Sequence, residues 1–254
     1  MEDNKHVQLR IERLKSDLLR SEISDSISIE KILQKHFMDR NCSFFSEIHK
    51  NEDVEYDLRA QIASECGVNI NDVVIVGSAK VGFSVKTNKF ILFDKGKDFK
   101  GNVKKSDIDV AIINGKLFDD VAYNIFEKSA HFKKDWIRDN WAFNRFNKFE
   151  EQKISNDCDE IQQELICLKN ENARMRLFNQ YTSYLARGWL RPDYMPEMFL
   201  SDWVCLSIAE SWRKKLSRKV SIAVYSNWKF FKFYHIDHLT MLKSKMGLGV
   251  KIDE

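Results

Sequence analysis

The chain has 254 residues, of which 43% are hydrophobic and 31% charged, so its composition supports a sizeable buried core and argues against disorder. Only two prolines and nine glycines are present, which excludes collagen-like and linker-rich architectures. The 41 basic and 38 acidic residues leave a formal charge of +3, so any nucleic-acid binding must depend on local clusters.

Signals for compartment and cross-linking are sparse in this sequence. The five cysteines are scattered and form no C-x-x-C pair, which argues against a zinc site and against a disulfide framework. The N-terminal segment MEDNKHVQLR holds no apolar stretch typical of a secretory signal. No apolar run approaches the ~18 residues that a membrane helix needs. We therefore expect a cytoplasmic protein that does not insert into a membrane.

The first predicted elements are helices over about residues 5–37. Apolar residues follow a spacing of three and four from Ile11 to Leu18, and the pattern restarts at Ile29. Between the two runs lies a Ser/Asp cluster at 24–26, which can end one helix and cap the next.

A third helix and two short strands come next. Apolar residues recur every four positions over 54–66, and Gly67 follows where a helix C-terminus commonly needs a left-handed residue. The wholly apolar, β-branched run at 73–76 predicts a buried strand. A second such run at 110–113 predicts another strand, which ends at the turn dipeptide Asn114-Gly115.

The second half of the chain is predicted to be mainly helical with one late strand. Residues 117–150 and 158–187 are expected to form helices, and both prolines of the chain fall in 188–197, which breaks the pattern. Alternating apolar residues at 220–225 predict a strand, and 228–245 returns to helix. The fold class is therefore α+β (or α/β), with a small sheet flanked by many helices.

Two strand ends carry the residues that can do chemistry. Gly77-Ser78 follows the first strand, and Asp107 and Asp109 precede the second. Glycine after a strand lets the backbone approach a ligand closely, and the Ser78 hydroxyl with nearby N–H groups can hold phosphate oxygens. Strand alternation puts both carboxylates on one side. Two carboxylates beside a phosphate cradle suit Mg²⁺.

This pattern resembles the DNA polymerase β-like nucleotidyltransferase superfamily, whose signature is a strand, Gly-Ser, a helical turn and then a strand carrying Asp-x-Asp. The matching residues are Gly77-Ser78, with Gly82 and Ser84 in the place of the later Gly-Thr/Ser, and Asp107-x-Asp109 preceded by Ser106. The resemblance covers roughly residues 55–115. It implies a small mixed sheet of the nucleotidyltransferase type, a core with N-terminal helices over 1–150, and a mainly helical C-terminal lobe over 151–254.

The resemblance also implies a reaction, the transfer of a nucleotidyl group from an NTP or dNTP to a hydroxyl. Asp107 and Asp109 would bind Mg²⁺ or Mn²⁺ and serve catalysis, while Gly77 and Ser78 would hold the triphosphate. Two such ions could activate the attacking hydroxyl and stabilise the leaving pyrophosphate. Lys80, within the Gly-Ser turn, is a further candidate for contact with a phosphate.

Several products remain open within this superfamily. It includes poly(A) and CCA-adding polymerases, synthases of cyclic oligonucleotides in bacterial defence, aminoglycoside nucleotidyltransferases and small antitoxin enzymes that adenylylate proteins. We expect the chain to make or extend an oligonucleotide, with an antiviral defence signal as one form of that product. The alternatives are an antitoxin-like enzyme that nucleotidylates proteins, and a catalytically degenerate module that binds a partner protein.

The sequence departs from the family pattern in two places. The spacing between the two motifs is longer than in minimal members, and the surplus is the lysine-rich segment 86–105. The family usually places a third carboxylate on a later strand, but 220–225 holds no Asp or Glu. Asp193, Asp157 and Asp159 are candidate substitutes. A missing third acid would favour an inactive nucleotide-binding relative.

Four other features have both a structural and a functional interpretation. Segment 86–105 holds seven lysines against two aspartates and forms either a solvated loop or a flap over a nucleotide or single-stranded nucleic acid. The basic cluster at 213–219 suits a solvated helix end. His235 and His238 have a spacing that zinc can use but lack a third ligand beyond Asp237. The aromatic residues at 228–234 are expected in the core rather than as a base-stacking platform.

Overall fold

The computed structural model describes residues 3–21, 26–85, 90–96, 103, 105–141, 160–200 and 203–247. In these ranges the helices are α1 (Asp3–Arg20), α2 (Ser26–Leu33), α3 (Asp53–Cys66), α4 (Gly77–Val81), α5 (Gly115–Lys128), α6 (Lys134–Asn140), α7 (Glu160–Ala186), α8 (Glu197–Leu200), α9 (Val204–Leu216) and α10 (Trp228–Gly247). Shorter helical turns lie at Gln34–Met38, Phe44–Ile48, Ile70–Asp72 and Pro192–Tyr194. None of the helices in the described part is long and apolar enough to cross a bilayer.

Short strands alternate with these helices and form one main sheet. The strands are β1 (Val73–Val76), β2 (Phe83–Ser84), β3 (Ile91–Leu92), β4 (Ile108–Ile113), β5 (Trp189–Leu190) and β6 (Val220–Tyr225). The main sheet has the order β1-β4-β6-β5, in which β4 is antiparallel to β1 and parallel to β6, and β5 is antiparallel to β6. Strands β2 and β3 form a separate antiparallel pair. A mixed α+β fold is thus confirmed at a coarse level, and the nucleotidyltransferase type of the sheet stays a prediction.

The two faces of the main sheet meet different layers. Ile108, Val110 and Ile112 of β4 are buried in the larger core, which also contains residues of α3, α7 and α9. Ala111 lies on the opposite face, in a smaller cluster with Phe231 of α10. Because side chains alternate along a strand, Asp109 shares this second face with Ala111.

The N-terminal helices pack against the last helix of the chain. Helix α10 contacts α1 and α2, and their buried apolar residues form a second core, whose members include Ile11, Leu14, Leu18, Ile32, Leu239 and Leu242. Strands β5 and β6, from the second half of the chain, join β1 and β4 in one sheet. The expected boundary between 150 and 151 falls outside the described residues, so the division into two units stays a prediction.

Two element ends can be compared with what the sequence predicted for them. Helix α3 ends as predicted at Gly67, which has φ of +64° and donates its backbone N–H to the carbonyls of the last turn. Asn114-Gly115 differs from its predicted role as a turn. The Asn114 side chain accepts a hydrogen bond from the backbone N–H of Leu117 at 2.9 Å, so the dipeptide caps and starts α5.

Candidate functional site

The two predicted motifs meet where β1 ends beside β4. Val76 pairs with Asp109 in the sheet register, so Gly77 lies next to the Asp109 side chain. A Cβ atom built on Gly77 would lie 2.8 Å from Oδ2 of Asp109, which is too close for a real side chain. Gly77 also has φ of +66°, in the left-handed region that residues with a side chain rarely adopt. Position 77 therefore requires glycine for two independent reasons.

A cavity of about 460 Å³ lies beside this junction. All five site residues predicted from the sequence line it: Gly77, Ser78, Lys80, Asp107 and Asp109. The rest of the lining includes residues of α2, α10 and the segment around β5, among them Leu33, Trp189, Arg191, Tyr234, His235 and Leu239. The structure thus brings together residues from both motifs and from far along the chain.

Lys80 lies at the cavity wall and also faces an acidic residue of α3. Burial lowers the pKa of the Lys80 ammonium, while the nearby Glu55 carboxylate raises it. Burial likewise raises the pKa of Glu55, and the charge of Lys80 lowers it. The two half-buried groups therefore compensate one another, and Lys80 contributes a positive charge to a partly desolvated wall.

Strand β6 occupies the position at which the third carboxylate was expected. Ser221 pairs with Asp109 in the parallel register. Lys219, just before β6, places Nζ 3.4 Å from Oδ2 of Asp107. Asp157, Asp159 and the side chain of Asp193 lie outside the described part of the chain. Where the structure is described, no group of three or more His, Cys, Asp or Glu side chains could hold a metal ion.

The donor set at this point fits one type of metal binding. Asp107, directly before β4, and Asp109, within it, line the cavity and supply carboxylate oxygens, the ligands that Mg²⁺ prefers. Mg²⁺ is commonly held by one or two carboxylates, with substrate phosphates and water as the remaining ligands. The two acids therefore suit a metal ion that arrives with a phosphate ligand, rather than one held by the described protein residues alone.

A network of hydrogen bonds, which we call the Arg218 clasp, fixes the backbone directly before Asp107. It consists of Arg218, Asp94 and Ser106. Arg218 donates to both carboxylate oxygens of Asp94, one of them at 2.7 Å, and to the Ser106 carbonyl at 3.3 Å. The Asp94 carboxylate accepts the Ser106 backbone N–H at 2.8 Å, and the Ser106 hydroxyl accepts the Asp94 N–H at 3.0 Å. Asp94, within the lysine-rich segment 86–105, is thereby joined to Ser106, which directly follows that segment.

The surroundings of the clasp are apolar. The Arg218 guanidinium lies 5.1 Å from the ring centroids of both Phe44 and Phe93. Burial alone would raise the pKa of Asp94, but hydrogen bonds from Arg218 and the Ser106 backbone outweigh it and hold that pKa below its ordinary value. Arg218, one member of the basic cluster identified in the sequence, is therefore an internal ion-pair partner, with a side chain only 10% exposed.

The lysine-rich segment itself is described only in part. Lys95 and Lys105 fall within the described ranges, and the other five lysines of 86–105 lie outside them. The prediction of a flap over nucleotide or nucleic acid therefore lies largely outside the described residues and stays a prediction.

Aromatic rings and one arginine line another part of the same cavity. Trp189 stacks on Tyr225 with ring centroids 5.3 Å apart and lies 4.5 Å from Tyr234. The Arg191 guanidinium lies 4.8 Å from the Trp189 centroid. Burial and the negative charge of Asp109 raise the pKa of the Tyr234 hydroxyl, and the positive charge of Arg191 lowers it. Tyr234 therefore lies close enough to both charged groups to be affected by them. The cavity lining thus contains acidic groups and also a cation held against aromatic rings.

The histidines and aromatic residues of α10 divide between core, cavity and surface. Phe231 is buried, as expected, but the expectation of a core position is wrong for Trp228, Phe230 and Phe233, which are exposed, and Tyr234 lines the cavity. His235 and His238 also line it. Burial, together with the nearby His238, lowers the pKa of His235 to about 4, so this imidazole is neutral at pH 7.

No known protein family, curated protein or solved structure matches the chain. The resemblance to nucleotidyltransferases is therefore carried by the residues of the two motifs alone. The function has to be inferred from the geometry of the cavity and from the groups that line it.

The sequence did not reveal the part of the cavity lining that lies outside the two motifs. Arg191, Tyr234 and His235 lie far from the motifs along the chain and carry no local signature that links them to Asp109. Lys219 and Ser221 could have been found, because strand 220–225 was predicted and its pairing with the Asp-x-Asp strand would place them beside the carboxylates.

Proposed function

We propose that the chain is a metal-dependent nucleotidyltransferase, which moves a nucleotidyl group from an NTP or dNTP to a hydroxyl acceptor. One observation carries this proposal: a Cβ atom at Gly77 would meet the Asp109 carboxylate at 2.8 Å. The Gly-Ser turn and a carboxylate suited to a divalent cation are thereby in direct contact. Both features face one cavity, whose volume of about 460 Å³ lies within the range typical of small-molecule sites.

The residues of the cavity have distinct roles in this reaction. Asp107 and Asp109 would hold Mg²⁺ or Mn²⁺, which when bound neutralises phosphate charge and lowers the pKa of the attacking hydroxyl. Gly77 lets the Asp109 carboxylate pack closely against the backbone of the turn, and the Ser78 hydroxyl would donate a hydrogen bond to a phosphate oxygen. Lys80 adds positive charge on the same side of the cavity.

The aromatic wall supports binding of the base in the same cavity. Trp189, Tyr225 and Tyr234 form a group of rings that line the same cavity as the carboxylates. Aromatic faces stack on any nucleobase and contribute about 1–3 kcal/mol per base where this has been measured. As the acceptor we propose the hydroxyl of a nucleotide or nucleic acid, because the lysine-rich segment 86–105 lies between the two motifs.

A second candidate function is a nucleotide-binding module without catalysis. Strand β6 favours it, because Ser221 stands opposite Asp109 and the Lys219 ammonium lies 3.4 Å from Asp107. The Ser221 hydroxyl is a weaker metal ligand and a weaker base than a carboxylate. The Lys219 ammonium competes with a metal ion for the Asp107 carboxylate. On this alternative the protein binds a nucleotide with its metal but releases it unchanged.

Binding and turnover measured together separate the two candidates. Mn²⁺-dependent binding of ATP, GTP, CTP and UTP is measured by calorimetry, and products from labelled NTPs and dNTPs are resolved by size. We expect Asp107→Asn and Asp109→Asn to lose metal-dependent nucleotide binding, while Asp120→Asn keeps it, because Asp120 lies on the surface of α5. Binding without product supports the second candidate. Full product formation by the double Asp→Asn variant would contradict both.

A further inference from the structure

Two cysteines that stand 139 positions apart in the sequence lie side by side in the fold. Cys66 is the last residue of α3, Cys205 is the second residue of α9, and their Sγ atoms are 3.4 Å apart. A disulfide bond has an S–S length of about 2.05 Å, so the two atoms need to approach by about 1.4 Å. Helices α3 and α9 already pack against each other, so this approach asks only for a small side-chain adjustment.

The two thiols of this pair are not equivalent. Cys66 is half-buried and Cys205 is buried, so an oxidant reaches Cys66 first. A hydrogen bond from the Cys205 thiol stabilises the Cys66 thiolate and lowers its pKa, although burial opposes this effect. The same hydrogen bond, together with burial, raises the pKa of Cys205. A thiolate that is partly exposed and stabilised, beside a second thiol, is the arrangement found in reactive cysteine pairs.

We propose that Cys66 and Cys205 form an oxidation site, which a peroxide converts reversibly into a disulfide. The Cys66 thiolate attacks one peroxide oxygen, the O–O bond breaks, and the products are a sulfenic acid and, after uptake of the thiol proton, water. The Cys205 sulfur then attacks the Cys66 sulfur, the S–O bond breaks, and a second water leaves with the Cys205 proton. Two thiols and one hydrogen peroxide thus give one disulfide and two waters.

Cys42 provides an internal comparison for this chemistry. It is buried, its thiol donates to the Ala79 carbonyl at 3.2 Å, and burial raises its pKa to about 12. Such a thiol is held in its unreactive protonated form at neutral pH. Because Cys205 lines the candidate cavity, the oxidation state of the pair also changes one wall of that cavity. The proposal does not depend on nucleotidyl transfer.

Peptide mapping of the full chain tests the proposal directly. The reduced protein is treated with a small excess of hydrogen peroxide, alkylated, and digested without reductant before mass spectrometry. We expect one peptide pair joined through Cys66 and Cys205, which a dithiol reductant separates again. Cys66→Ser and Cys205→Ser remove this product, whereas Cys42→Ala keeps it.

The intermediate offers a second measurement that does not require the disulfide. In Cys205→Ser we expect Cys66 to accumulate as a sulfenic acid, which dimedone traps at least tenfold faster than any product at Cys42. Circular dichroism checks that the variant is folded. In wild-type protein, a Cys66 that stays reduced under excess peroxide, or that oxidises without joining Cys205, would overturn the proposal.

Discussion

Replacing Arg218 with methionine removes the cation of the Arg218 clasp and keeps a long side chain between Phe44 and Phe93. The variant loses the two hydrogen bonds to the Asp94 carboxylate and the one to the Ser106 carbonyl. Asp94 keeps its hydrogen bond from the Ser106 backbone but loses the cation that contacts its carboxylate. We therefore expect the folded state to be destabilised.

The size of the effect follows from the burial of the two partners. The Arg218 side chain is 10% exposed and that of Asp94 is 30% exposed. Removing one partner of a fully buried pair costs about 3–5 kcal/mol. Hydration of the partly exposed Asp94 offsets some of this cost, so we expect a loss of about 2–3 kcal/mol. For a chain of this size that loss lowers the Tm by about 5–10 °C.

Urea unfolding of both proteins over a range of pH measures this loss and assigns its cause. The pKa of Asp94 is lowered from 3.8 in the folded state, so the clasp stabilises the protein fully above that value and less as pH falls through the folded pKa. The stability difference between wild type and Arg218→Met should therefore shrink in strong acid. A matched control is Lys116→Met, which breaks the exposed ion pair with Asp120 and should leave stability unchanged. A difference under about 0.5 kcal/mol at pH 7, within the range of ordinary surface substitutions, would refute the assignment.

Three further substitutions probe the cavity and its wall. Gly77→Ala should weaken Mn²⁺-dependent nucleotide binding at least tenfold in calorimetry, because the added Cβ atom would lie 2.8 Å from the Asp109 carboxylate. The control is Gly96→Ala, whose added Cβ atom would meet no atom within 4 Å, and it should bind nucleotide normally. Equal affinities for both would contradict the close approach. Ser221→Asp adds a carboxylate opposite Asp109 and should strengthen Mn²⁺ binding in electron paramagnetic resonance titrations; an unchanged affinity would mean that position 221 does not face the metal. His235 has a pKa lowered from 6.5 to about 4, so the unfolded state binds its proton first and stability should fall between pH 6.5 and 4. The free energy of unfolding should fall by at most about 1.4 kcal/mol per pH unit. In urea unfolding, His235→Leu should show a weaker dependence of this free energy on pH. An equal pH dependence in both proteins would contradict a neutral imidazole in the folded state.

The elements with a complete local signal could be predicted from the sequence. Three elements could be predicted from only a few neighbouring residues each. They are β1, from its apolar run, β6, from its alternating pattern, and the end of α3, from its glycine. Strand β4 was expected from residue 110 but begins at Ile108, because the charged Asp109 interrupts the apolar run. The Asp109 side chain faces the cavity rather than the core. Strand β5 was not predicted, since its two residues are defined only by their pairing with Tyr225 and Val224.

The candidate site was predictable only on the side of its two motifs. Those residues are recognisable because they adjoin strands that the apolar pattern reveals. The other wall depends on contacts between residues far apart in the chain, as Tyr234 and Arg191 illustrate. The meeting of Cys66 with Cys205 is another such contact, which no spacing of cysteines along the sequence indicates.

The packing of α10 on α1 and α2 has a consequence for the order in which the protein folds during synthesis. Helices α1 and α2 are synthesised long before α10, yet they share one buried apolar core with it. Contacts between distant segments slow folding, because the intervening chain must be ordered before they form. Leu33 of α2 and Leu239 of α10 both line the cavity. A partly synthesised chain therefore lacks part of the cavity lining, and its early helices expose apolar surface that chaperones can recognise until α10 docks.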